Sequence, residues 1–406
     1  MSKYINIVNR AERFAYINLA ILILFSLKIY PRWFMPGGSY QIIFLATTTL
    51  SLIMLNPVIE KAGYKMRMLF FIILYAVFFN LPISHEFRPG YFMDSLIFIE
   101  LLLLPISIFY NAYELLRKLF YYISIFAIVL WCIHTIGFDL PNIAIRREDL
   151  GGELHQTYYI YGPVISLFSD NSKSLERVCG LFAEPGHFGI YLSLMMAINK
   201  FRFNHREDFI MLIAGLLTFS TAFYGIIGLG MIYKFFFLSK YNDFKILFPV
   251  FLIATSILVS STSIQEVLIG RVVEGRHVSS INDLVENRVV NTTKSNYERI
   301  MRTDKKWFGE GMTDTDQVQE TNWRGGVYRY GIIGISVFIL LVLNIVSIVP
   351  LKYKLLILSI TTLIMSHRIY QLFYTGIPYL LYAASLLNSD DYIDEAITED
   401  DSFIEA

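Results

Sequence analysis

The feature that most constrains this fold is a succession of long apolar segments through almost the whole chain. A helix needs about 20 largely apolar residues to cross a bilayer, and only helices and closed barrels satisfy their backbone groups there. We predict spans near residues 15–30, 39–59, 68–84, 93–111, 119–138, 180–199, 208–222, 223–238, 246–262, 327–349, 354–368 and 370–387. The sequence therefore predicts an all-α polytopic membrane protein with about twelve transmembrane helices.

Composition supports the same class. Hydrophobic residues make up 55% of the 406 positions and charged residues only 17%, and the mean hydropathy is +0.51. An average soluble domain is about 25% charged. The formal net charge is zero, and we predict no nucleic-acid partner.

One pair of spans has an alternative interpretation. Segments 208–222 and 223–238 are each short for a full crossing, and Thr218, Ser220 and Thr221 interrupt the apolar run between them. The pair is therefore predicted either as two spans or as one re-entrant hairpin.

The orientation follows from the distribution of basic residues, which favour cytoplasmic loops. With a cytoplasmic N-terminus, every inner segment is basic: Lys3, Arg10 and Arg13; Lys61, Lys65 and Arg67; Arg117 and Lys118; Lys200, Arg202 and Arg206; Lys234, Lys240 and Lys245; Lys352 and Lys354. Both termini are then inside. We predict one transmembrane domain over residues 1–388, with outer loops at about 139–178 and 263–326, and an acidic cytoplasmic tail at 389–406.

Ionisable residues within the predicted spans concentrate in their outer halves. They are Asp94, Glu100, His134, Glu184, His187, Arg329, His367 and Arg368. Isolated charges in lipid are costly, so such groups face protein or water and mark functional sites. The asymmetry predicts a polar cavity that opens to the outer face.

The stretch R-V-C-G-L-F-A-E-P-G-H-F-G at residues 177–189 is the strongest local candidate for a site. Proline is tolerated in the first helical turn, so we predict that a helix begins at Pro185 with Glu184 at its cap and His187 one turn in. Unpaired N–H groups at such a start favour an anion, and Arg177 is placed to close the same site. The alternative is a helix cap beside a histidine in an ordinary polar contact.

The second outer loop is rich in cations. They are Arg271, Arg276, Arg288, Arg299, Arg302, Lys305, Lys306 and Arg324. Arg329 follows at the start of the next predicted span, after the pair Gly309-Glu-Gly311. Guanidinium groups bind phosphate in a bidentate way, so this loop predicts anion contacts. Its tyrosines and tryptophans are typical of an interfacial belt.

These motifs resemble the Wzy-type O-antigen and exopolysaccharide polymerases, which are related to the O-antigen ligases. The resemblance is carried by residues 177–189, by Gly309-Glu-Gly311 after the arginine-bearing segment around Arg299, and by Tyr330-Gly-Ile-Ile-Gly334. It covers roughly residues 175–340, and the layout of about twelve spans with a large late outer loop agrees with it.

The resemblance implies a membrane glycosyltransferase of GT-C-like architecture at the outer face of the bacterial inner membrane. Such an enzyme moves a growing glycan from undecaprenyl diphosphate to a lipid-linked repeat unit, for lipopolysaccharide, capsule or exopolysaccharide. The implied partners are the lipid-linked oligosaccharide, membrane lipid and a chain-length regulator protein, and no cofactor is implied.

This chemistry gives roles to the candidate residues. Arg177, Arg299, Arg324 and Arg329 are predicted to bind the diphosphate, because arginine stays charged and suits a leaving group that gains negative charge. Glu184 or His187 is predicted to act as the base or to orient the acceptor. His367 and Arg368 are secondary candidates. No histidine cluster lies on the outer side, and arginines are predicted to take the place of a cation at the diphosphate, so we predict a metal-independent reaction.

Three other functions are alternatives to the polymerase. The ligases carry a histidine in the loop after Gly-x-Gly, whereas this chain has Thr321-Asn322 there and its only histidine in the loop is His277. A lipid-linked oligosaccharide flippase should show internal repeats and short loops, and we find no repeat. A membrane acyltransferase should carry a histidine-based site near the inner side or midplane.

Overall fold

A computed structural model of the chain describes residues 10–27, 29–35, 39–55, 63–80, 89–138, 140–146, 156–169, 177–182, 184–203, 205–237, 291–310, 323–372 and 376–389. The predicted span 246–262, the loop residues 263–290 and the tail from residue 390 lie outside this part. The chain divides into two compact units. The terminal unit comprises Met1–Leu27, Phe34–Leu116 and Val289–Ala406, and the central unit comprises Lys28–Trp33 and Arg117–Arg288.

The described part of the chain is mostly helical. Its helices are α1 Arg10–Ser26, α2 Ser39–Leu55, α3 Gly63–Asn80, α4 Pro89–Leu103, α5 Ile106–Thr135, α6 Pro185–Ile198, α7 Arg206–Leu217, α8 Thr221–Phe237, α9 Asn291–Met301, α10 Trp323–Ile345, α11 Leu351–Leu372 and α12 Gly376–Leu386. Each predicted span except 246–262 overlaps one of these helices. The predicted positions of the helices are confirmed to that extent.

Two helical segments of the described chain are long and apolar enough to cross a membrane, Ile106–Thr135 and Trp323–Ile348. Four shorter helices are also apolar, namely Ser39–Leu55, Pro185–Ile198, Thr221–Phe237 and Gly376–Leu386. These helices are compatible with a polytopic membrane protein. The count of twelve spans and the orientation stay predictions.

The boundary between α4 and α5 differs from the prediction. The sequence predicts one span over 93–111 and the next over 119–138, but α4 ends at Leu103 and α5 begins at Ile106. Pro105 lies between them, and proline has no N–H to continue a helical ladder. Its carbonyl instead accepts a hydrogen bond from the Ile108 N–H at 3.1 Å within the new helix. The predicted inner residues Arg117 and Lys118 therefore lie inside a 30-residue helix.

The first predicted outer loop contains a small antiparallel sheet, which the all-α prediction did not include. Its strands are β1 Ile143–Arg146, β2 Gln156–Tyr161 and β3 Val164–Ser169, in the order β1-β2-β3. Alternating β-branched and aromatic residues favour these strands. The two-residue turn between β2 and β3 begins at Gly162, whose φ of 61° suits a tight hairpin.

Aromatic rings pack α12 against its neighbours in the terminal unit. Phe98 of α4 meets Tyr379 and Tyr382 edge-on, at centroid distances of 5.2 and 5.8 Å, and Phe109 of α5 meets Tyr382 at 5.4 Å. The Tyr379 hydroxyl donates to the Asp94 carbonyl oxygen at 3.0 Å. These buried rings combine apolar contact with a satisfied polar group.

Helix α10 is broken at Gly331. The φ and ψ of this residue are 66° and 179°, a conformation that is essentially restricted to glycine. The break divides α10 into a first half at 323–330 and a second half at 332–345. A break inside an apolar helix frees backbone groups, which then need new partners.

Residues 307–310 supply those partners. The Ile333 N–H, at the start of the second half, donates to the Trp307 carbonyl oxygen at 3.0 Å. The Tyr328 carbonyl oxygen, at the end of the first half, accepts from the Glu310 N–H at 2.8 Å. The segment 307–310 therefore lies in the break and bridges its two sides.

Two glycines allow this close approach. A Cβ on Gly309 would overlap the Arg329 carbonyl group, and a Cβ on Gly331 would overlap the Trp307 carbonyl oxygen. Gly309 also has a positive φ of 79°. Backbone packing thus requires glycine at positions 309 and 331.

We expect Gly331→Ala to destabilise the protein by more than about 2 kcal/mol, because it adds left-handed strain to an overlap with backbone atoms. Apparent Tm in detergent measures this loss. Gly228→Ala in α8 is the matched control, since an added Cβ there meets nothing within 4 Å. An unchanged Tm in Gly331→Ala would contradict the described packing of the break.

Candidate functional site

In the central unit, residues 177–182 run between β3 and the end of α7. The Ile165 N–H of β3 donates to the Gly180 carbonyl oxygen at 2.7 Å, and the Val178 N–H donates to the Leu217 carbonyl oxygen at 3.2 Å. The Tyr30 N–H donates to the Leu181 carbonyl oxygen at 2.9 Å. These bonds fix the chain that leads into α6.

Helix α6 begins as the sequence predicts. Pro185 is its first residue and Glu184 is the N-cap, with extended φ and ψ of −141° and 142°. The Glu184 side chain makes no capping hydrogen bond. Its carboxylate is therefore not committed to the helix end.

Glu184 and His187 form a polar pair at this helix start. The Glu184 Oε2 and His187 Nε2 atoms are 4.0 Å apart, and the side chains are 26% and 16% exposed. Every other residue of α6 is buried. A carboxylate beside an imidazole is a combination that moves protons in general acid–base catalysis.

Arg177 is tied to the turn between α7 and α8. Its Nε donates to the Thr218 carbonyl oxygen and its Nη2 to the Phe219 carbonyl oxygen, both at 2.9 Å. Phe219 has a positive φ of 47°, which is uncommon outside glycine. The guanidinium therefore satisfies two carbonyls of buried residues at a strained turn, and its role as a diphosphate ligand stays a prediction.

We expect Arg177→Ala to lower the free energy of unfolding by about 1–3 kcal/mol, because it leaves buried carbonyl oxygens without their donors. Thermal unfolding of the purified protein tests this. Arg202→Ala, which removes an exposed arginine of the same unit, should cause little change. Equal stability of the two variants would show that these hydrogen bonds contribute nothing.

In the terminal unit, a charged cluster surrounds Glu310. The Lys305 Nζ donates to the Glu310 Oε1 at 2.7 Å, and the Arg299 Nη1 lies 3.6 Å from the same oxygen. The two cations are 54% and 52% exposed, whereas the Glu310 side chain is 18% exposed. Exposed ion pairs contribute only about 0.2–1 kcal/mol, so this cluster adds little to stability.

Helix α9 packs the cluster against the first half of α10. Ile300, Val327 and Tyr328 form a buried apolar core there. Tyr297 contacts Trp323 edge-on, with the ring centroids 5.4 Å apart. This core holds Arg299 of α9 beside the broken helix.

Arg324 lies at the junction of polar and apolar surfaces. Its guanidinium carbon is 5.6 Å from the centroid of the Trp323 ring, a cation–π geometry. The same tryptophan lines an apolar cavity of about 310 Å³ between α10 and α11. The other lining residues are Ile339, Val342, Leu343, Leu358, Thr361, Thr362 and Met365.

The remaining predicted residues also belong to the terminal unit. Arg329 is half-buried in the turn of α10 before the break. His367 and Arg368 lie in the last two turns of α11, and their side chains are outside the described part of the structure. Within this unit the structure places Arg299 on α9 and both Arg324 and Arg329 on the first half of α10.

Glu310 has no predicted role in the sequence, where it stands only as the middle residue of the motif Gly309-Glu-Gly311. The motif does not indicate a contact between this carboxylate and the cations that precede it. The signal that could have found the contact is the opposite charge of Lys305 five residues before Glu310. The contact itself depends on the backbone turn at Gly309.

Among the described side chains, no group of three or more His, Cys, Asp or Glu residues is arranged to hold a metal ion. The candidate residues with described side chains include an acid–base pair at α6 and cations on α9 and α10.

Comparisons with protein-family models, with curated proteins and with solved structures found no significant match to this chain. The likeness to the polymerases therefore rests on the motifs quoted above.

Proposed function

We propose that the protein is a polysaccharide repeat-unit polymerase of the bacterial inner membrane, with its active site on the outer face. It transfers a growing glycan from undecaprenyl diphosphate to a lipid-linked repeat unit. The observation that carries the proposal is the broken apolar helix α10, which has cations on its first half and an apolar cavity beside Trp323.

A lipid diphosphate needs a cationic surface for its phosphates and an apolar surface for its hydrocarbon chain. Discontinuous helices in membrane proteins are typical of binding sites for charged substrates. The cavity between α10 and α11 suits a hydrocarbon chain, and Arg324 stacked on its tryptophan suits the phosphate end. Arg299 and Arg329 add further positive charge on α9 and α10.

The proposed reaction is a displacement at the anomeric carbon. The acceptor hydroxyl oxygen forms a bond to that carbon, while the bond from the carbon to the diphosphate oxygen breaks and its electron pair leaves with the lipid diphosphate. The hydroxyl proton goes to a base, for which Glu184 or His187 stays the candidate that the sequence predicts. Arginines stabilise the charge that develops on the leaving group, so the proposal needs no metal ion.

The polymerase, the ligase and the flippase predict different glycans in a strain that lacks the protein. We would test the function first by deleting the gene in its native host and sizing both carrier-linked and surface-attached glycan. A polymerase leaves single repeat units on the carrier and long chains nowhere. Long chains retained on the carrier would instead identify a ligase, and units trapped on the cytoplasmic face would identify a flippase.

We expect Glu184→Gln to lower turnover by about 100-fold or more, because general acid–base catalysis contributes roughly that factor. Long chains should disappear while protein abundance stays normal, since Glu184 makes no capping bond. Glu207→Gln, at the first turn of α7, is the control and should retain long chains. Wild-type chain length in Glu184→Gln would remove this carboxylate from the mechanism.

A further inference from the structure

Folding stability alone does not explain why two exposed cations pair with the mostly buried carboxylate of Glu310. Its two cations are more than half exposed, so their pairing with the carboxylate contributes little to folding. The Glu310 Oε2 atom is buried, and among the described residues it has no hydrogen-bond partner. A buried carboxylate oxygen without a donor is unfavourable.

The carboxylate and the cations differ in side-chain length and in exposure. Glu310 is fixed at its backbone, because its N–H donates to the Tyr328 carbonyl oxygen inside the break of α10. Arg299 and Lys305 reach it from α9 and the turn after α9 through long side chains. The cations can therefore turn toward another anion, whereas Glu310 cannot follow them far.

A diphosphate would compete directly with Glu310. It carries more negative charge than one carboxylate and offers more oxygens to the same N–H donors, and arginine binds phosphate in a bidentate way. The exposure of both cations leaves them accessible to such a ligand.

We propose that Arg299 and Lys305 form a diphosphate site in which Glu310 is the competing internal anion. The diphosphate displaces Glu310 on binding, and Glu310 recovers the two cations when the diphosphate leaves. This inference rests on the proposed function, in which lipid diphosphate is released after each transfer. Glu310 is a positioning residue that weakens product binding and so speeds release.

The test measures binding of inorganic pyrophosphate to the full-length protein in nanodiscs by titration calorimetry. Glu310→Gln should bind pyrophosphate at least about threefold more tightly than the wild type, as expected for loss of a partly exposed ion pair. A purely structural role for Glu310 would weaken binding in this variant. Unchanged or weaker binding, or no saturable binding to either protein, overturns the proposal.

The matched control is Glu298→Gln. Glu298 is an exposed carboxylate next to Arg299 on α9, so its removal changes the net charge equally without touching the cluster. Its pyrophosphate affinity should equal that of the wild type. An equal gain in both variants would mean that general charge, and not competition at the site, sets the affinity.

Lys305→Met gives a second readout that does not require Glu310→Gln to fold. It should weaken pyrophosphate binding several-fold in the wild-type background, and unchanged affinity overturns the assignment. Farnesyl diphosphate should compete with pyrophosphate if the natural ligand is lipid-linked. Failure to compete overturns the lipid-linked ligand.

These experiments distinguish failure of the proposed diphosphate site from failure of the proposed polymerase function. The pyrophosphate titration uses no glycan and measures only the anion site. Tighter binding in Glu310→Gln together with normal glycans in the deletion strain would support the site and reject the polymerase. Loss of long chains in the deletion strain together with unchanged pyrophosphate affinity in Glu310→Gln would support the polymerase and reject the site.

Discussion

The described terminal unit depends on how the break in α10 is satisfied. A helix that stops at Gly331 leaves carbonyl and N–H groups without helical partners, and such groups are costly in an apolar setting. The segment 307–310 pairs with both sides of the break. Because that segment is fixed there, Glu310 is fixed as well, and Arg299 and Lys305 gather around it.

The first half of α10, before the break, contributes to both an apolar surface and a cationic surface. The first half of α10 packs on α9 through Val327 and Tyr328, so its start presents Trp323 and Arg324. Trp323 lines the apolar cavity and also makes the cation–π contact with Arg324. This arrangement suits an amphiphile with an anionic end, which is the chemical class of the proposed substrate.

The central unit uses polar groups in a different way. Helix α6 is buried along its whole length except at His187, and Glu184 is its N-cap with extended backbone angles. Arg177 stabilises the neighbouring turn through two carbonyl oxygens, although it lies in the same sequence stretch. Neighbouring polar residues in one motif therefore differ in their contacts: Arg177 binds two backbone carbonyl oxygens, whereas Glu184 and His187 lie beside each other at the start of α6.

The sequence by itself located most of the described apolar helices, because apolar content is a local property, but it misplaced the boundary at Pro105 and did not predict α9. It located the start of α6 at Pro185, and it marked Gly309 and Arg299 as motif residues. It did not reveal the sheet in the first predicted outer loop, where strand pairing joins residues such as Ile143 and Ile160. Only the tertiary structure decided that Arg177 supports a turn and that Glu310 holds two cations, since both depend on contacts between segments that the sequence does not place side by side.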